Sequence, residues 1–261
     1  MFKHTKPLFE KGRILKTAML ESLRDYPRSL LDIRYQEHTD GIITGADIHV
    51  GPQTLTVAPG IIKHDGRLYL MEEAQEMSYT ATGRETMLVV HFEKAEPSTD
   101  FDSYAGMLVL QERPPASDEV ELSRFKLKEG AVLRSDYLDF ADLATEYNTL
   151  NLLHARHAGR GENTLVPVIF KLFARELLGR RSTHPADLSF ALLCLNQERI
   201  EMETLLHYLA ARTGTKLTEM DYLQKERLRL HQALVRILEE NGGQRPLSGL
   251  RRSGPQRMMV D

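Results

Sequence analysis

The sequence contains no tryptophan and a single cysteine, Cys194, in 261 residues. One cysteine cannot close an intrachain disulfide, so the fold needs no oxidising compartment. Charge of one sign is lacking as well: 34 Lys and Arg stand against 37 Asp and Glu, a formal net charge of −3. A general nucleic-acid binder carries a strong basic excess, and this chain has none. No run reaches the ~18–20 apolar residues that span a bilayer. The start, Met1 to Lys6, has no long apolar stretch behind it, so no secretory signal is expected. Phosphate loops are missing too. Neither Gly-x-x-x-x-Gly-Lys-Ser/Thr nor Gly-x-Gly-x-x-Gly after a strand occurs, and Gly159-Arg160-Gly161-Glu162 lacks the rest of either pattern. With them goes support for a nucleotide-driven motor. There is no Gly-x-Ser-x-Gly elbow for a hydrolase nucleophile. Hydrophobic residues at 41% and charged residues at 27% match an ordinary globular chain, long enough for one large domain or two modest ones.

What is present is a change of period along the chain. Pro7 can open a helix, and Leu8, Phe9, Ile14, Leu15, Met19, Leu20 and Leu23 recur at three- and four-residue spacings. Pro27 should interrupt it, with a short second helix or turn through Leu30, Leu31, Ile33 and Tyr35. From Asp40 the pattern turns β-like, through 42–50, 54–63, 68–71, 86–93, 104–111 and 120–127. Helical spacing resumes after Tyr137, first over Leu138–Asn148, and Ala155–Asn163 reads as a junction. Three helices are then expected: Leu165–Leu178 capped near Gly179, a long one over Pro185–Thr213 ending at Gly214, and one opened by Thr218 and Asp221 and lined by Tyr222, Leu223, Leu230, Leu234, Ile237 and Leu238. Helix, then strands, then helices argues for an α+β chain rather than a parallel βαβ sheet.

Few residues suggest chemistry. His154 and His157 would share one face of a helix and could hold a metal, but Arg156 and Arg160 flank them and no third ligand sits at a suitable spacing. A polar junction is the simpler account. His184, before Pro185, belongs with a helix cap, and His207 and His231 with packing or surface. Cys194 lies in the apolar run Leu192–Leu195, where a thiol is inert. Glu72-Glu73 and Glu239-Glu240 read as solvated faces or helix ends. Arg245, Arg251, Arg252 and Arg257 form a basic tail that could meet an acidic surface or nucleic acid, or simply solubilise.

One phrase stands out. In Leu55–Tyr69, Pro59-Gly60 breaks a strand as a corner or bulge would, and Asp65-Gly66-Arg67 closes a tight hairpin. It resembles the strand–Pro-Gly–strand–Asp-Gly-Arg hairpin of phage tail and baseplate proteins. Val120–Phe125 running to Gly130–Arg134 is similar to the closing strand pair of the same small β modules. Lys6–Leu15 resembles the start of baseplate adaptors, and the type VI secretion baseplate component with shoulder, neck and head domains is the nearest analogue. The resemblance covers about residues 1–140.

The resemblance implies a non-enzymatic structural component of a phage or phage-tail-like contractile particle, a baseplate or adaptor protein. It implies self-association, a trimer if the chain follows its analogue, and contacts with other tail or baseplate proteins. It also implies assembly in the cytoplasm before incorporation into the particle. No cofactor, metal, membrane or nucleic acid is expected. The expected organisation is an N-terminal helical segment (1–39), a small antiparallel β-sandwich module (40–137), a C-terminal helical bundle (138–243) and a disordered tail (244–261). Pro59, Gly60, Asp65, Gly66 and Arg67 are the candidate structural turn, and Leu8, Phe9, Ile14, Leu15, Arg251 and Arg252 the candidate docking residues. The alternatives are a metal-dependent enzyme using His154 and His157, and a nucleic-acid binder using the Arg-rich tail.

Overall fold

The computed structural model describes residues 1–94, 96–97, 102–216 and 226–242. It is an α+β fold with an N-terminal helix, antiparallel sheets and C-terminal helices. The chain forms two compact units, one from Met1–Ser135 with Glu146–Leu165 and the other from Asp136–Thr145 with the chain from Val166 onward.

In the first unit, helix α1 spans Thr17–Tyr35. It begins later than the apolar spacing suggests and runs through Pro27 without a break. The arm before it is not helical. A proline inside a helix removes one backbone bond, a loss water can offset on a helix that buries none of its residues. The strands follow as β1 (Gly41–Gly45), β2 (Ile48–Val50), β3 (Thr54–Val57), β4 (Gly60–His64), β5 (Arg67–Met71), β6 (Gln75–Ser78), β7 (Glu85–Phe92), β8 (Glu96–Pro97), β9 (Asp102–Ser103), β10 (Gly106–Gln111) and β11 (Glu119–Lys126).

The first four strands are one long ribbon bent across two sheets. β1 pairs with β4, and β2 with β3, both antiparallel. Between the pairs both chains turn a corner, at Gly45-Ala46 and at Ala58-Pro59. Ala46 N–H donates to Pro59 O at 3.1 Å, and Ala58 N–H donates to Asp47 O at 2.8 Å. The backbones touch there: a Cβ on Gly60 would lie 2.4 Å from Ala46 N, and one on Gly45 2.2 Å from Pro59 O. Gly45 also takes φ +65°, a conformation that favours glycine. The Pro59-Gly60 phrase therefore carries the chain from the sheet β2-β3-β6 to the sheet β1-β4-β5. Asp65 and Gly66, at φ 46° and 72°, form the two-residue turn between β4 and β5.

The third sheet has the order β10-β7-β11. Leu55, Val57, Leu88, Val120, Leu122, Phe125 and Leu150 fill the core between the sheets. Gly130–Arg134 does not form a closing strand. Arg134 makes a single bridge to Thr149. The helix expected at Leu138–Asn148 is reduced to one 3-10 turn, Ala141–Ala144. Beyond it the chain is extended and returns to the first unit. Asn151 exchanges backbone bonds with Arg124 of β11, Arg156 N–H reaches Glu121 O, and Arg156 O and Ala158 N–H bond Ile42 of β1. This segment zips the free edge of β11 to the free edge of β1.

The second unit holds α2 (Pro167–Gly179), α3 (Pro185–Asn196), α4 (Met202–Thr213) and α5 (Arg227–Glu240). The single long helix expected over Pro185–Thr213 is two helices. Gln197 and Glu201 are both extended, and they break the run without a proline or glycine. Arg181, not Gly179, takes the left-handed position after α2, whereas Gly214 caps α4 at φ 71° as its spacing predicts. His184 caps α3 by accepting a bond from Ala186 N–H at 3.2 Å. The expected start of the last helix at Thr218 and Asp221, with Tyr222 and Leu223, lies outside the described residues. So does the tail.

Asp187, fully buried at the start of α3, ties the helices together. It accepts from Ser182 Oγ at 2.6 Å, Tyr208 OH at 2.9 Å, Arg212 Nε at 3.1 Å and Asn241 Nδ2 at 3.0 Å. Burial alone would raise its pKa, but these donors and the Arg212 charge outweigh it and hold the carboxyl below its ordinary range. His231 donates from Nε2 to Phe140 O at 2.8 Å, and burial lowers its pKa, so the ring stays neutral.

Two outcomes follow from these geometries. Gly60→Val forces Ala46 and Thr44 backbone apart and should cost about 2–3 kcal/mol or more in urea unfolding, where an ordinary strand position would tolerate valine. An unchanged midpoint would contradict the corner contact. Asp187→Ala takes the shared acceptor from Ser182, Tyr208 and Asn241, leaves Arg212 with Glu240 alone, and should cost about 3–5 kcal/mol at neutral pH. Because the folded carboxyl is the stronger acid, its contribution is present above the unfolded pKa and lost as pH falls through the folded one. The gap between wild type and D187A should therefore narrow in acid, and a gap that widens there would refute the assignment.

Candidate docking surface

Lys63 anchors the N-terminal helix. It sits on β4 beyond the corner, buried, and its Nζ donates to Tyr35 O at 2.8 Å, Gln36 O at 3.2 Å and His38 O at 2.7 Å. Tyr35 is the last residue of α1 and also accepts from His38 N–H at 3.1 Å, so the ammonium sits at the negative end of the helix dipole and on the turn that follows it. A single ammonium thus joins α1 to the β module.

The helix that it holds is turned inside out. Arg24, Pro27, Arg28 and Leu31 face the β module across a cleft. On the opposite face Leu23, Tyr26, Leu30 and Ile33 repeat at i, i+3, i+7 and i+10, and they are 50%, 49%, 59% and 66% exposed. The apolar stripe points outward. The arm before the helix adds Leu8, Phe9, Ile14 and Leu15, all exposed. His4 of this arm packs edge-on against Tyr26, with ring centroids 6.1 Å apart. This ring contact joins the arm to the outer face of α1. Arg251 and Arg252 lie outside the described residues.

The hairpin turn is polar and internally satisfied. Arg67 Nη1 pairs with Asp65 Oδ2 at 2.9 Å and its guanidinium lies 4.2 Å from the Tyr104 ring centroid. Asp65 N–H donates to Asp40 Oδ2 at 3.0 Å. These contacts stiffen the turn and leave no free cation on it.

The residues first considered for catalysis are not brought together. His154 lies in a turn and His157 in the backbone bridge beyond it, both in the segment that zips β11 to β1, so their three-residue spacing does not place them on one helical face. His157 is buried, and its backbone bridges Ile42 and Thr164. Among the described residues no group of three or more His, Cys, Asp or Glu could hold a metal ion. Cys194 is buried in α3, and desolvation pushes its thiol up to about 12. No helix among the described residues is long and apolar enough to cross a membrane.

No family model matches the chain, and no curated protein matches it. Several solved chains are similar, among them three from type VI secretion baseplate structures. A chain of the type VI secretion system TssK-TssF-TssG baseplate subcomplex matches at 14% identity and TM-score 0.40, over 91% of this chain and 100% of that one. The crystal structure of TssK matches at 11% identity and TM-score 0.36, over 90% of this chain and 69% of that one. A chain of the baseplate complex from the type VI secretion system matches at 13% identity and TM-score 0.36, over 91% and 100%.

Lys63 was not legible as an anchor. It reads as the polar end of a β run, and only the arrival of α1 above it gives it partners. Lys63→Met removes all three of these bonds at once and should cost about 1–3 kcal/mol. Hydrogen exchange should quicken at the last turn of α1 while β7 and β11 stay protected. Unchanged exchange in α1 would show that something else holds the helix.

Proposed function

We propose that the chain is a non-enzymatic structural component of a contractile, tail-like particle, acting in its baseplate or as an adaptor. The observation that carries this reading is the outward apolar stripe Leu23, Tyr26, Leu30 and Ile33, with Leu8, Phe9, Ile14 and Leu15 also exposed on the arm before it. Contiguous apolar surface of this kind marks a protein–protein contact, because leaving it in water is unfavourable. The Pro59-Gly60 and Asp65-Gly66-Arg67 phrase, with its resemblance to tail and baseplate modules, supplies the class of particle. The strand corner and the satisfied hairpin make the β module a stiff mount for α1. The arm and α1 are the docking element, for a second copy and for neighbouring baseplate proteins. In this reading the protein assembles in the cytoplasm and then becomes part of the particle. The helices of the second unit contribute to assembly.

The purified full chain, alone and co-expressed with the products of neighbouring genes, is the test. Light scattering and native mass measurement should show self-association that rises with concentration. Leu23→Arg with Leu30→Arg should weaken it at least tenfold without lowering the unfolding midpoint, since neither side chain is buried. A strictly monomeric wild type that never co-purifies with tail components would overturn the proposal.

A further inference from the structure

The sheets β1-β4-β5 and β10-β7-β11 form one curved layer, because the segment around Asn151–Ala158 bonds both β11 and β1. Its order is β10-β7-β11, the returning segment, then β1-β4-β5. Such a layer has two ends, β5 and β10, and among the described residues neither outer edge carries a strand. Both ends line one cleft of about 910 Å³, whose remaining wall is α1 and whose floor includes the buried Ile62, Val90 and Leu122.

The hydrogen-bond alternation tells which backbone groups face that cleft. The two-residue turn at Asp65-Gly66 makes His64 and Arg67 a bonded pair, so Ile62 with Tyr69 is bonded too. The N–H and C=O of Leu68 and Leu70 then point away from β4. On the other edge, Glu93 N–H donates to Ala105 O at 2.9 Å, which sets His91 with Met107 and Val89 with Val109 as bonded pairs. Gly106 and Leu108 turn their backbone outward. Leu68, Leu70, Gly106 and Leu108 all line the cleft. Two strand edges thus present donors and acceptors with no backbone partner among the described residues to the same space.

The rim has a sign. Asp32, Glu72, Glu73 and Asp102 border the cleft with no ion-pair partner among the described residues. Of the cations there, Arg24 is taken by Asp25 and Arg67 by Asp65, which leaves Arg28.

We propose that the cleft between β5 and β10 accepts an extended segment of another protein, alternating apolar and basic residues, which adds as a strand and completes the layer. Its backbone bonds Leu68 and Leu70, or Gly106 and Leu108, its apolar side chains cover the floor, and its Lys or Arg meet the acidic rim. The proposal deepens the docking role above by naming a partner's chemistry, and it uses a surface distinct from the outer face of α1.

The probes are two synthetic octapeptides, one alternating Val and Lys, the other Val and Glu, each labelled with fluorescein and titrated with the full chain by anisotropy. The Val-Lys peptide should bind saturably and at least tenfold more tightly than the Val-Glu peptide. The surface variant Glu72→Lys with Glu73→Lys should weaken it at least tenfold. Leu70→Pro, which removes an outward N–H and no bond to β4, should weaken it as well. Hydrogen exchange on binding should slow at Leu70 or Leu108 rather than at Tyr69 or Val109. No saturable binding by the wild type, or binding indifferent to the charge reversal, overturns the proposal. Loss of binding in the Leu23→Arg, Leu30→Arg variant would place the peptide at the interface between copies and overturn it equally. Binding retained in that variant, with self-association gone, separates this cleft from the docking face.

Discussion

The first unit depends on a place where two backbones touch. Gly45 and Gly60 face each other at the corner of the bent ribbon, and neither has room for a Cβ. That contact lets one pair of chains serve two sheets. It directs Leu55 and Val57 of β3 into the core, and it sends β4 off at an angle that brings Lys63 beneath the end of α1. It also makes β5, the strand after the hairpin, the last strand of its sheet. The anchor of the N-terminal helix and the open edge of the layer are both consequences of that crossing. A side chain at either glycine would push the sheets apart before it disturbed any single strand.

Local chemistry was the legible part. Pro59-Gly60 and Asp65-Gly66 each specify a backbone conformation within a few residues, and the structure places a corner and a tight turn there. The strands β7 and β11 read correctly because β7 is nearly continuous in apolar residues and β11 alternates apolar and polar at period two. The errors came where distant partners decide. The segment around Asn151–Ala158 has no β-rich composition, and it is extended because the edges of β11 and β1 offer it backbone bonds. That is why His154 and His157 lost their helical relation. Pro185–Thr213 looks like one helix by spacing, yet Asp187 bonds both Tyr208 and Arg212 from the following helix, which requires the chain to fold back in between. The same blindness hid Lys63, whose partners lie on an element 27 and 28 residues earlier in the chain.

α1 turns these constraints toward function. Its inner face is largely polar and its outer face is apolar, the reverse of a helix that packs on its own domain. An isolated helix of this length is marginal in water, and most helical stability in proteins comes from packing an apolar face. α1 buries none of its residues, starts without a side-chain cap and is held at one end by Lys63. Its helical state is therefore coupled to whatever covers Leu23, Tyr26, Leu30 and Ile33. A partner of the kind proposed would stabilise the helix as it docked, so part of its interaction free energy would go into fixing α1 and the net affinity would be lower than the apolar area alone would give. The Lys63 anchor reduces that cost, because it fixes the end of the helix, and with it the direction of the stripe, before a partner arrives.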